Sequence, residues 1–132
     1  MSEEIIEVYE LELKNEPVKM KNADGVVLGY SLNELSGKER DKYLNTIAAR
    51  TKTLPNGKST VHNFEGMQAD LLLRSMLRTT NEEGETLAVS VKLKKEEIQA
   101  WPARVQSSLF KRAQKLSGLN EEEKKEGEEG NE

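Results

Sequence analysis

The stretch 17-PVKMKNADGVVLGYSL-32 decides how the chain begins to fold. Its first half alternates, with Val18 and Met20 to one side, as a half-buried strand does. Asn22-Ala-Asp-Gly25 then supplies a turn, because Asp-Gly tolerates the positive φ that a tight reversal needs. Val26–Leu32 returns, so residues 18–32 read as a β-hairpin.

Two further segments carry the period of a strand. Ile5–Leu13 alternates in its second half: Val8 and Glu10 fall on one face, and Tyr9, Leu11 and Leu13 on the other. Thr86–Leu93 alternates throughout, with Leu87, Val89, Val91 and Leu93 predicted inside and Ala88, Ser90 and Lys92 outside. This later strand is the best candidate to join the N-terminal sheet, at either edge.

Helices are signalled by caps and by apolar spacing. Ser31-x-x-Glu34 and Ser36-x-x-Glu39 each fit a capping box, so a helix starts between Asn33 and Lys38. It runs to about Thr51 with Tyr43, Leu44, Ile47 and Ala48 on its apolar face. The following 53-TLPNGKST-60 reads as a loop by its Pro and Asn-Gly. A second helix is predicted from about Asn63 to Arg78, burying Phe64, Met67, Leu71, Leu72, Met76 and Leu77, and Asn81–Gly84 is a turn.

In 97-EIQAWPARVQSSLFKRAQKLSGL-119, Pro102 cannot donate a backbone N–H, which costs little in the first turn of a helix and several kcal/mol inside one. Glu96–Ala100 is therefore one short turn, and a new helix starts at Pro102. On it Val105, Leu109, Ala113 and Leu116 recur at helical spacing with Phe110 beside them. Gly118 suits a left-handed C-terminal cap, and Leu119 can fold back on the last turn. Trp101, just before the helix, either packs as a staple on Val105 or stands out as an anchor for another chain.

The fold class that follows is α+β: a small antiparallel sheet (N-terminal strand, hairpin, one later strand) packed with three main helices. Residues 1–119 form the single domain. Residues 120–132 hold no apolar side chain and are expected to be a disordered acidic tail, with seven Glu against two Lys after Asn120.

Composition bounds the function. Of 132 residues, 35% are hydrophobic and 33% charged, which gives a highly charged domain with a modest core; aromatics, at 5%, leave few large anchors. No apolar run approaches membrane-spanning length, and the acidic N-terminus argues against a secretory signal. The absence of cysteine excludes disulfides and thiolate chemistry. The net charge of −4 is smaller than the excess of acid in the tail, so the body is slightly basic. Residues 38–115 carry fifteen Lys and Arg against nine Asp and Glu, too dilute a field, with Phe64, Trp101 and Phe110 too scattered, to favour nucleic acid.

Catalytic and cofactor patterns are poor. 57-GKST-60 resembles the end of a phosphate-binding loop, but Lys52 stands where the pattern requires Gly, and no buried strand precedes it. His62, the one histidine, has no acidic cluster around it to complete a metal site and reads as a polar residue at a helix start. No Cys or motif-framed Ser offers a nucleophile, and Asp24 and Asp70 form no spaced carboxylate pair. The sequence therefore predicts no catalytic, cofactor or metal site and a protein that is not an enzyme.

The order of the elements carries a resemblance. The hairpin closing in 28-LGYSLNELSGKERDKYLN-45, the helix 64-FEGMQADLLLRSML-77, the strand 87-LAVSVKL-93 and the final Glu96–Asn120 segment together resemble the small tail assembly chaperones of long-tailed bacteriophages and related prophages. The resemblance covers most of residues 8–120 and is clearest in the last segment. It implies a non-enzymatic protein in the cytoplasm of a bacterial host, which binds the tape-measure protein, keeps it soluble, leaves as the tail tube polymerises, and is absent from the virion. It also implies a longer form made by programmed frameshifting, through which the tail tube protein becomes a partner. Lys124-Lys125, encoded by an A-rich run, is a candidate slippery site.

A helper for a long helical client is expected to offer many copies of a modest amphipathic surface, and self-assembly into oligomers fits that expectation. The residues expected to meet the client or neighbouring copies are Trp101, Val105, Leu109, Phe110, Leu116 and Leu119. The competing reading is a small nucleic-acid-binding or regulatory module using the Lys/Arg-rich surface of 38–58 and 104–115.

Overall fold

Asn22 and Asn81 build the two long-stranded turns in the same way. In the computed structural model, which describes residues 6–49, 51–53, 55–61 and 66–119, the Asn22 side-chain oxygen accepts from the backbone N–H of Asp24 (3.0 Å) and of Val26 (2.9 Å). Asn81 repeats the pattern with Glu83 (3.0 Å) and Glu85 (2.9 Å). Each turn places its Gly at positive φ, Gly25 at 84° and Gly84 at 86°, where a side chain is strained. The Asn22 turn joins β1 (Asn15–Lys21) to β2 (Val27–Asn33), and the Asn81 turn joins β5 (Met76–Thr80) to β6 (Thr86–Lys92). The predicted hairpin and the later strand are both present.

The two hairpins pair through their inner strands into one antiparallel sheet of order β1-β2-β5-β6. Val18 lies opposite Tyr30, Tyr30 opposite Arg78, and Leu32 opposite Met76, so these side chains share one face. Gly29 permits the close approach at the centre: a Cβ there would lie 2.7 Å from Thr79 Oγ1, and its N–H instead donates to Thr80 Oγ1 at 3.1 Å. The chain between β2 and β5 supplies α1 (Gly37–Ala49), a ribbon of β3 (Thr51–Thr53) and β4 (Ser59–Val61), and α2 (Met67–Ser75). After β6 come α3 (Lys95–Gln99) and α4 (Ala103–Leu116). Leu71, Leu72, Ile98, Leu109 and Ala113 from the helices meet Val18, Tyr30, Leu32 and Met76 from the sheet in one core. The predicted α+β class is the observed one.

The final segment follows the sequence closely. Pro102 is the N-cap of α4, and Gly118, with φ 75°, reverses the chain so that Leu119 is buried. The Ser117 hydroxyl accepts from the Leu35 N–H at 2.9 Å, tying that end to the start of α1.

Four expectations are corrected. The predicted strand at 5–13 does not form over the described residues 6–13, which carry a bend at Glu12 and pair with no strand. Lys14 continues the β1–β2 ladder by accepting from the Glu34 N–H at 2.8 Å, and the chain before it bends at Glu12 without joining a strand. The helix predicted to Arg78 stops at Ser75, and Met76–Thr80 is instead the strand β5. Pairing with β2 outweighs the helical period there, and Asn33 Nδ2 donates to the Ser75 carbonyl at 3.1 Å, satisfying an oxygen that the broken helix leaves open. Thr53, Ser59 and Thr60, predicted in a loop, belong to the β3–β4 ribbon, whose turn has Gly57 at φ 83° and Lys58 N–H bonded to Asn56 Oδ1. Val89 and Val91, predicted inside, are exposed, because β6 is the last strand and its ladder slips between Arg78 and Thr80. Leu93 is buried as expected. His62, Phe64, the helix start at Asn63 and the tail 120–132 lie outside the described residues.

Candidate partner-binding groove

The break at Trp101-Pro102 opens a groove. Ile98 is buried in the core, and Trp101 N–H bonds the Ile98 carbonyl at 3.1 Å, closing the short helix α3. Pro102, extended at φ −52° and ψ 141°, turns the chain, and Val105 N–H then bonds the Pro102 carbonyl at 3.0 Å to start α4. Between this corner and the inner face of the β1–β2 hairpin lies a groove of about 890 Å³. Its apolar lining includes Val18, Met20, Leu28 and Tyr30 from the hairpin, Trp101 from the corner, and Val105 and Leu109 from α4.

Trp101 meets Tyr30 edge to face, with ring centroids 5.7 Å apart and planes at 83°. The indole is half-buried, so it is both a wall of the groove and a support for the hairpin. Tyr30 is buried, and that burial raises its phenol above the ordinary value of 10.0; Glu97 adds to the rise and Arg78 opposes it. Arg78 and Glu97 pair at 3.7 Å.

Lys19, Lys21, Arg104 and Arg112 stand around the groove, and Arg112 pairs with Glu16 at 2.8 Å. Two basic residues offered by the sequence for nucleic acid also have carboxylate neighbours: Arg40 lies 3.6 Å from Asp41 and Lys42 3.5 Å from Glu39, which Arg74 also approaches at 3.2 Å. Asp70 pairs with Lys95 at 3.1 Å, and Asp24 sits in the exposed hairpin turn. Among the described residues, no group of three or more His, Cys, Asp or Glu is placed to hold a metal, and no helix is long and apolar enough to cross a membrane.

Of the six residues predicted to meet a partner, the fold brings Trp101, Val105 and Leu109 to this groove. Leu109 is only 5% exposed and forms its floor; Leu119 is buried in the core elsewhere. Phe110 and Leu116 are half-buried against the core and lie outside the groove. The reason is physical: most of the α4 stripe packs on α2 and the sheet, which leaves the N-terminal end of the stripe accessible. The hairpin wall was missed, although the alternation of Val18 and Met20 already placed both on one side. Comparison of the chain with protein-family models, curated proteins and solved structures gives no match.

Proposed function

We propose that the protein is a non-enzymatic chaperone that holds an apolar helical stretch of a longer client in the groove between the β1–β2 hairpin and the α3–α4 corner. The observation that carries this reading is the groove itself, a half-exposed apolar wall of Trp101, Val105, Met20 and Leu28. Two side chains about one turn apart on an amphipathic helix could insert between hairpin and indole, which is how helix-in-groove recognition works. The resemblance to tail assembly chaperones names the client as a tape-measure protein and the setting as the cytoplasm of a bacterial host, with the chaperone absent from the finished virion.

The test is binding of a purified tape-measure fragment from the same gene cluster, followed through Trp101, the single tryptophan. Binding is expected to change the indole emission, to survive raised salt because apolar burial drives it, and to fail in a folded Val105→Asp variant. No binding, or binding unaffected by Val105→Asp, refutes the proposal. Preferential binding of nucleic acid that collapses with salt would favour the basic-module reading instead.

A further inference from the structure

Residues 6–13 hold an alternating strand sequence that the monomer does not use. Ile6, Val8, Tyr9 and Leu11 are all exposed, Leu11 at 93%, and Tyr9 Oη donates to Glu7 at 2.9 Å along the extended chain. Lys14 anchors their end: its carbonyl accepts from Glu34 N–H, and its own N–H donates to Glu34 Oε1 at 2.9 Å. A bend at Glu12 follows this anchor, and residues 6–11 beyond it pair with no strand of the sheet. At the far edge of the sheet, β6 has no neighbouring strand on its outer side among the described residues, and it exposes Val89 at 78% and Val91 at 37%. An uncovered apolar edge is a template for another strand.

We propose that residues 6–13 of one copy add to the β6 edge of a second copy as an antiparallel strand, with Leu11 opposite Val91 and Glu10 opposite Lys92. This register also sets Leu13 opposite Val89, so each exposed valine gains an apolar cross-strand neighbour. The charges agree. Lys92 in β6 and Lys94 just beyond it discourage two β6 edges from pairing with each other, whereas Glu7, Glu10 and Glu12 on the incoming segment complement them. The β1 edge is a poorer acceptor because Pro17 lacks an N–H.

A second copy is required by reach. In this register Leu13 would sit outside β6, four strand spacings or about 19 Å from β1. Only Lys14 separates it from Asn15, and the two Cα–Cα steps between them span at most about 7 Å. Donor and acceptor are different surfaces, so the contact is heterologous and builds a ring, a reciprocal pair or a longer array. None of this depends on what occupies the groove.

The chain contains no cysteine, which permits a direct test in the full-length protein. Leu11→Cys and Val91→Cys chains, mixed and mildly oxidised, are expected to form an intermolecular 11–91 disulfide identified by peptide mass spectrometry. Leu11→Cys mixed with Ala88→Cys, which lies out of register, is expected to crosslink several-fold less. In sedimentation velocity, Leu11→Lys and Val89→Lys, both at exposed positions, are each expected to weaken self-association at least about tenfold. A monomer at high micromolar concentration, equal capture at position 88, or association unchanged by both lysines overturns the proposal.

Discussion

Leu109→Ala separates the part of the α4 stripe that is core from the part that borders the groove. Leu109 is 5% exposed and touches both the groove floor and the central cluster of Leu71, Leu72, Ile98 and Ala113, so truncation leaves a cavity that close-packed neighbours refill poorly. Buried leucine-to-alanine changes cost about 2–5 kcal/mol, and a site at the core's edge belongs near 3. With an m-value of about 1.5–2 kcal/mol per molar urea, the midpoint should fall by roughly 1.5–2 M, with m itself unchanged. Val105→Ala, at the half-buried groove wall, should cost about 1 kcal/mol or less on the same assay. Urea titration followed by far-ultraviolet circular dichroism measures both. If Leu109→Ala costs under about 1 kcal/mol, or no more than Val105→Ala, the helix is not seated as described and the assignment of Leu109 to the core fails.

Two other outcomes follow from named contacts. Asn33→Ala removes the donor to the Ser75 carbonyl and should cost about 1–2 kcal/mol, whereas an unchanged urea midpoint would show that water replaces it freely at the α2–β5 junction. The buried Tyr30 phenol, raised by burial above its ordinary 10.0, stays protonated in the folded state after the unfolded chain begins to lose that proton. Its contribution is therefore full below about pH 10 and is lost as pH rises toward the folded value. Thermal midpoints measured through that range should fall, and Tyr30→Phe should make the fall shallower; an identical slope in the variant counts against burial as the cause.

What the sequence determined by itself is what neighbouring residues can settle among themselves. The Asn22 and Asn81 turns need an Asn side chain and a Gly within a few positions, so both hairpin reversals were legible. The start of α4 behind Pro102 and its end at Gly118 are likewise local, one set by a missing N–H and the other by a left-handed φ. The half of the groove carried by Trp101 and Val105 could be read for the same reason.

Tertiary structure decided the rest wherever a residue's role depends on a distant strand. Met76–Thr80 continues a helical apolar pattern, yet it becomes β5 because β2 offers a ladder and Asn33 takes up the open carbonyl. Ile6–Leu13 has the period of a strand and remains unpaired within the described chain, which bends at Glu12 just before the Lys14 anchor. Val89 and Val91 alternate correctly but lie on the last strand of the sheet, where the described helices leave Val89 78% and Val91 37% exposed. Periodicity states which side chains share a face; only the assembled sheet and helices determine whether that face is covered.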